Sequence, residues 1–145
     1  MGGGTESVEL LIVQDDPAET LLMQEEFGEH HLVNRVCVAH DVRRALAYLD
    51  GSPPFTDAGR PDLVLLDLNL PGRDGRAVLR HLRSRPETAG VPVVLLTHSP
   101  AAERILRAER LPVQGYAIKP VDFACLTTVV RSLDTLGFQV WRAAS

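Results

Sequence analysis

Five short apolar runs recur along the chain: VELLIV (8–13), LVNRVCVA (32–39), DLVLLDL (62–68), VPVVLLT (91–97) and GYAIK (115–119). Each is rich in Val, Ile or Leu, bounded by turn residues and too short for a helix, which predicts a strand. Apolar positions at helical spacing fill the segments about 17–29, 41–50, 74–84, 100–110 and 122–136. Five strands alternating with five helices build βαβ units. Near-continuous apolar strands belong to a mostly parallel sheet covered on both faces.

Right-handed crossovers leave few topologies at this length, and the expected one is a flavodoxin-like (βα)5 doubly wound sheet with strand order 2-1-3-4-5. One domain over 8–136 accounts for the pattern, preceded by a flexible tail (1–7, MGGGTES) and followed by a short apolar C-terminal extension (137–145). The connection GSPPFTDAGR (51–60) reads as a surface loop. Composition narrows the function classes. At 45% hydrophobic residues over 145 the chain can bury a working core, and no apolar run approaches the 18 or so residues of a membrane span. A formal charge of -4 argues against nucleic acid as the main partner. Cys37 and Cys125 lack CxxC spacing and fit reduced residues of a cytoplasmic protein.

In such a sheet ligands bind beyond the carboxyl ends of the strands. Those ends carry QDDPAE (14–19), Asp67, Thr97 and Lys119-Pro120. Lys119 is the single lysine beside fourteen arginines, a compact ammonium where a forked guanidinium would not fit a small pocket. Asp16-Pro17-Ala18-Glu19 reads as a helix start, with Asp16 as N-cap and Glu19 as the third residue of a capping box. Asp15 is then the residue placed to face Asp67. Two neighbouring carboxylates repel unless a cation lies between them, and one or two carboxylates, a carbonyl (that of Asn69) and water describe a Mg²⁺ site. His30, His31, His40 and His81 show no paired i,i+4 spacing, so a zinc site is not expected. The Arg-rich stretches RHLRSR (80–85) and RILRAER (104–110) read as solvated helix faces.

Taken together, the acids after strand 1, Asp67 in DLNLPGRDG, Thr97 after strand 4 and Lys119-Pro120 after strand 5 resemble the receiver domain of bacterial response regulators, over about residues 8–136. The resemblance implies that Asp67 accepts a phosphoryl group from a histidine kinase or phosphotransfer protein in a Mg²⁺-dependent reaction. It implies Asp15 as the acidic metal ligand, with Gln14 and Asp16 behind it, and Lys119 and Thr97 as contacts of the phosphoryl oxygens. Tyr116 matches the aromatic switch position, and the bond before Pro120 is expected to be cis. Such a protein is a phosphoacceptor, not a turnover enzyme.

Two residues depart from the family pattern. Gln14 stands where an acid is usual, so metal dependence is expected to be weaker but present. His98 follows Thr97 where a small residue is usual, and could screen Asp67. A narrower likeness, carried by DPAE, the loop 51–60, KPVDF and the tail, points to single-domain regulators paired with phytochrome-type histidine kinases. In the tail, Leu136, Phe138 and Val140 alternate, and Phe138, Val140 and Trp141 are expected to serve a homodimer contact. The alternative function is a degenerate, phosphorylation-independent receiver acting as a protein-binding module. A dehalogenase-like phosphatase would want a second acid where Asn69 stands, and a flavodoxin would want a phosphate loop where the acidic QDDPAE stands.

Overall fold

The computed structural model describes residues 9–29, 35–52, 61–70, 72–119, 121, 124 and 125. The elements run β1 (Glu9–Val13), α1 (Pro17–Glu29), β2 (Arg35–Ala39), α2 (Val42–Asp50), β3 (Leu63–Asp67), α3 (Arg76–Ser84), β4 (Val93–Thr97), α4 (Pro100–Ala108) and β5 (Gly115–Ile118). All five strands pair in parallel in the order β2-β1-β3-β4-β5, as the alternation implied. Of the expected fifth helix only residues 124 and 125 are described, and they are helical. The tails 1–7 and 137–145 lie outside the described residues, with Phe138, Val140 and Trp141. No helix among the described residues is long and apolar enough to cross a membrane.

Strand alternation divides the core into two layers. Leu10, Ile12, Leu63, Leu65, Val94 and Leu96 face the side that receives Met23 of α1 and Val121. Leu11, Val13, Val64, Leu66, Val93 and Leu95 face the side packed by Tyr48 of α2 and by Val78, Leu79 and Leu82 of α3. Because every strand is parallel, the carboxyl ends of β1, β3, β4 and β5 open on one edge. The order reverses between β1 and β3, where a crevice forms.

The helices at that edge start and stop for local reasons. Asp41 and Ser99 cap α2 and α4, accepting from the N–H groups of Arg44 and Ala102. α4 ends earlier than the sequence pattern suggests because Arg110 takes a left-handed φ of 54°. α3 starts two residues later than expected, since Asp74 and Gly75 form the turn that returns the chain against β3. The Gly75 N–H donates to Leu68 O at 3.0 Å. A Cβ on residue 75 would lie 2.8 Å from both Asp67 O and Leu68 Cα, backbone atoms that cannot yield as a flexible side chain would. Its φ of -59° suits any residue, so the constraint is purely steric. Gly75→Ala is therefore expected to lose about 1–3 kcal/mol, read as a lower urea midpoint at unchanged m. A wild-type midpoint would mean that α3 shifts without cost.

The Arg-rich helices are less uniformly solvated than their composition suggests. Arg83 donates to the carbonyls of Ala89, Val91 and Pro112 and to Gln114 Oε1, tying the C-terminal half of α3 to the segments entering β4 and β5. Arg107 lies over the Tyr116 ring, 4.4 Å from its centroid. Asp50 at the end of α2 binds both His81 and Arg85.

Candidate functional site

Asp67 is the last residue of β3 and only 5% exposed. Its Oδ1 accepts the backbone N–H of Asn69 at 2.8 Å, and its Oδ2 pairs with Lys119 Nζ. Lys119 follows β5, whose register leads to it: Thr97 pairs with Ile118, and the Lys119 N–H then donates to Thr97 O at 2.8 Å. Its side chain is 10% exposed, so the ion pair is largely withdrawn from solvent. Thr97 is buried and donates its hydroxyl to Ala117 O across a long 3.4 Å contact. That bond is weak enough to be exchanged for a better acceptor.

At the end of β1, one step past the register pair Val13–Leu66, Gln14 stands level with Asp67. Gln14 is fully buried. Its Nε2 donates to Thr20 Oγ1 at 2.9 Å, and Thr20 in turn gives its hydroxyl proton to Asp16 O, which fixes the amide's orientation. The Gln14 Oε1 finds no hydrogen-bond partner among the described residues. Asp15 is exposed at the mouth of the crevice. Asp16 caps α1 as the sequence implied, accepting the N–H groups of Ala18 and Glu19 at 2.9 and 3.1 Å. The Glu19 N–H bond, foremost, holds the Asp16 carboxyl below its ordinary range.

Glu19 makes a contact that sequence reasoning missed. Read as a capping-box member, it brings Oε2 to 3.9 Å from Lys119 Nζ. Burial raises its carboxyl above the ordinary range, and the Lys119 charge opposes that rise. Its position one turn into α1, on the side of Thr20 and Met23, was the available signal. The expected constellation is thus partly assembled: Asp67, Lys119 and Asn69 touch, Thr97 and Gln14 adjoin them, and Asp15 sits at the rim. Tyr116 lies away from Asp67, half-buried beneath Arg107, and Pro120 lies outside the described residues.

A cleft of about 190 Å³ opens beside Asp67, lined by Asn69, Arg76, Thr97, His98, Ile105 and Leu106 among others. Its floor is apolar, and Ile105 is 68% exposed at its rim. His98 is exposed, with Nε2 3.5 Å from Asn69 Nδ2, so the imidazole leans over Asn69 at the rim and leaves an opening beside Asp67. Arg76 bridges Asp74 and Glu109, and so joins the start of α3 to the end of α4. Its guanidinium is held above its ordinary range, chiefly by Glu109.

The donor set fits a hard cation that keeps most of its water. Among the described residues no three His, Cys, Asp or Glu form a ready cage. Mg²⁺ does not need one, since one or two carboxylates suffice. Asp67 keeps lone pairs beyond its two bonds, because a carboxylate accepts about four. Asp15, exposed at the end of β1, adds a second carboxylate on the same edge of the sheet.

Known proteins share this fold. The family model described as "Response regulator receiver domain" matches residues 10–131. "Response regulator Rcp1" of Synechocystis sp. is 31% identical over 126 residues, 87% of this chain and 86% of that protein. Among solved structures, "Bacteriophytochrome response regulator RtBRR" superimposes with a TM-score of 0.78 at 32% identity, covering 88% of this chain and 78% of the other. The phosphorylated cyanobacterial phytochrome response regulator RcpA gives 0.69 at 30% identity, covering 95% and 89%.

Proposed function

The chain belongs to the response regulator receiver family, and from that premise we propose that it is a phospho-switch that accepts a phosphoryl group on Asp67. The observation that supports this reading best is the Asp67–Lys119 pair: a strand-end carboxylate, fixed by the Asn69 N–H and neutralised by the chain's one ammonium, beside an open cleft.

One Asp67 oxygen attacks phosphorus, forming the acyl phosphate as the bond from phosphorus to the donor's leaving group breaks. Lys119 passes from the Asp67 carboxylate to the arriving phosphoryl oxygens. One similar solved structure is titled the Mn²⁺-bound form of response regulator Rcp1, which supports a divalent cation. Here Asp15, Asp67 and the Asn69 carbonyl would hold Mg²⁺, which neutralises phosphoryl charge when bound. The new acceptor oxygens draw the Thr97 hydroxyl from its weak bond to Ala117 O. Motion at Thr97 reaches α4, which has no buried residue of its own and lays Arg107 over the Tyr116 ring. A local charge event then biases a loosely packed helix, and the changed α4–β5 face is the output.

The donor in this reading is a histidine kinase or phosphotransfer protein. The phytochrome-linked titles of the relatives support a phytochrome-type kinase, and the apolar tail at Phe138, Val140 and Trp141 supports a homodimer. The test is intact mass after incubation with acetyl phosphate. One phosphoryl group per chain is expected with Mg²⁺, and at least tenfold slower uptake after chelation of the metal. Uptake equal with and without Mg²⁺ would sink the metal assignment. No uptake from either acetyl phosphate or a cognate kinase would leave the phosphorylation-independent binding module, to which the unpartnered Gln14 carbonyl already gives some support.

A further inference from the structure

A small cavity of about 30 Å³ lies behind the Asp67–Lys119 pair, walled in part by Gln14, Glu19, Met23, Leu96 and Lys119. It is large enough for one water. On its wall the buried Gln14 Oε1 is without a partner among the described residues, so a polar tenant or a moving donor has a waiting acceptor. Lys119 Nζ is shared across this space: Asp67 holds it on one side, and Glu19 Oε2 stands 3.9 Å away on the other. An ammonium has three donors, and Asp67 Oδ2 takes one of them.

The chain has therefore not simply lost an acid at Gln14. It presents a carboxylate from the first turn of α1, behind the ammonium instead of beside the phosphoacceptor. We infer that Glu19 is a resting-state anchor for Lys119, a positioning carboxylate that competes with the phosphoryl group for the one ammonium. This rests on the reading of Asp67 as phosphoacceptor. Two physical effects then act in the same direction. Glu19 draws Lys119 away from any anion seated on Asp67, and its own charge repels that anion. Both make the phosphoryl-bound state less favourable, so the device tunes how readily the switch is set.

The experiment titrates beryllofluoride, a tetrahedral mimic of the phosphoryl group, into the full chain at saturating Mg²⁺ by isothermal calorimetry. Glu19→Gln is expected to tighten binding by about 3–10-fold, the scale of one partly screened charge a few ångströms away. Glu19→Asp keeps the charge on an arm one methylene shorter, so it loses the anchoring contact but not the repulsion, and is expected to bind more tightly than the wild type but less tightly than Glu19→Gln. Glu25→Gln, which removes an exposed acid elsewhere on α1, is expected to match the wild type. An unchanged Glu19→Gln overturns the inference. So does a Glu19→Asp that behaves as wild type while Glu25→Gln tightens binding, since general charge would then explain the effect. If the wild type itself binds no beryllofluoride, the phosphoacceptor reading falls and takes the anchor with it.

Discussion

Asp67→Asn is expected to take up no phosphoryl group from acetyl phosphate, at any Mg²⁺ concentration, while remaining folded. An amide offers no carboxylate oxygen for attack, so loss of the chemistry is complete rather than partial. The neighbouring acids cannot stand in. Asp16 is committed to the helix start through two backbone N–H groups, and Asp15 lies at the solvent edge without the Lys119 contact. Only Asp67 is both fixed by a backbone donor and neutralised by the ammonium. The fold should survive, because the amide carbonyl that the substitution leaves can still accept the Asn69 N–H, and Lys119 keeps Glu19 nearby. Removing one charge from a site that holds Asp15, Asp16, Glu19 and Asp67 also relieves repulsion. The two terms oppose, and the urea midpoint should correspond to a change within about 1 kcal/mol. Intact mass reads the first outcome and the midpoint reads the second. An adduct in a folded Asp67→Asn chain would move the phosphoacceptor to another residue and dissolve the mechanism built on this one.

The parts of this site that could be read in the sequence are those that a short range of residues determines. LVLLD is apolar at four successive positions, so it had to be a strand buried on both faces. A charge at its fifth position had to lie at the sheet's edge, and the edge is where such folds bind. Asp16-Pro17 announced its own cap. What stayed hidden depends on rotamers and on long loops. Glu19 sits at a position where two roles, helix cap and partner of Lys119, share one spacing, and the residue that decides between them is a hundred positions away. Arg83 and Arg107 looked like parts of solvated arginine runs. Their roles come from Pro112, Gln114 and Tyr116, which the fold delivers through the turn after α4. The expected helix over 74–84 began late because Gly75 has to press against Leu68, a steric fact that helical periodicity does not record.

Lys119→Met should separate two jobs that the wild type combines, slowing phosphorylation while tightening metal binding. Methionine keeps an unbranched stem of similar volume in the same niche and removes only the charge and its donors. On the chemical side, loss of one positioned cation at a site of developing charge costs about 10²–10³ in rate. The acetyl phosphate reaction at saturating Mg²⁺ should slow by that factor. On the binding side, Asp67 Oδ2 is no longer occupied by an ammonium, and Mg²⁺ meets no competing cation there. Its apparent affinity should rise by several-fold. Stability follows the same logic. Without Lys119, Asp67 is a buried carboxylate with one remaining hydrogen bond, and a metal-free chain should lose about 1–3 kcal/mol, discounted from a fully buried pair because the crevice admits water. Added Mg²⁺ should then restore more stability to the variant than to the wild type, since stabilisation by a ligand rises with the logarithm of its concentration over its dissociation constant. Thermal melts across a Mg²⁺ series, run beside the phosphorylation time course, read all three quantities. A variant phosphorylated at the wild-type rate would remove Lys119 from the chemistry and leave it a structural cation. A variant that melts lower yet gains nothing from Mg²⁺ would show that the metal does not meet Asp67 at all.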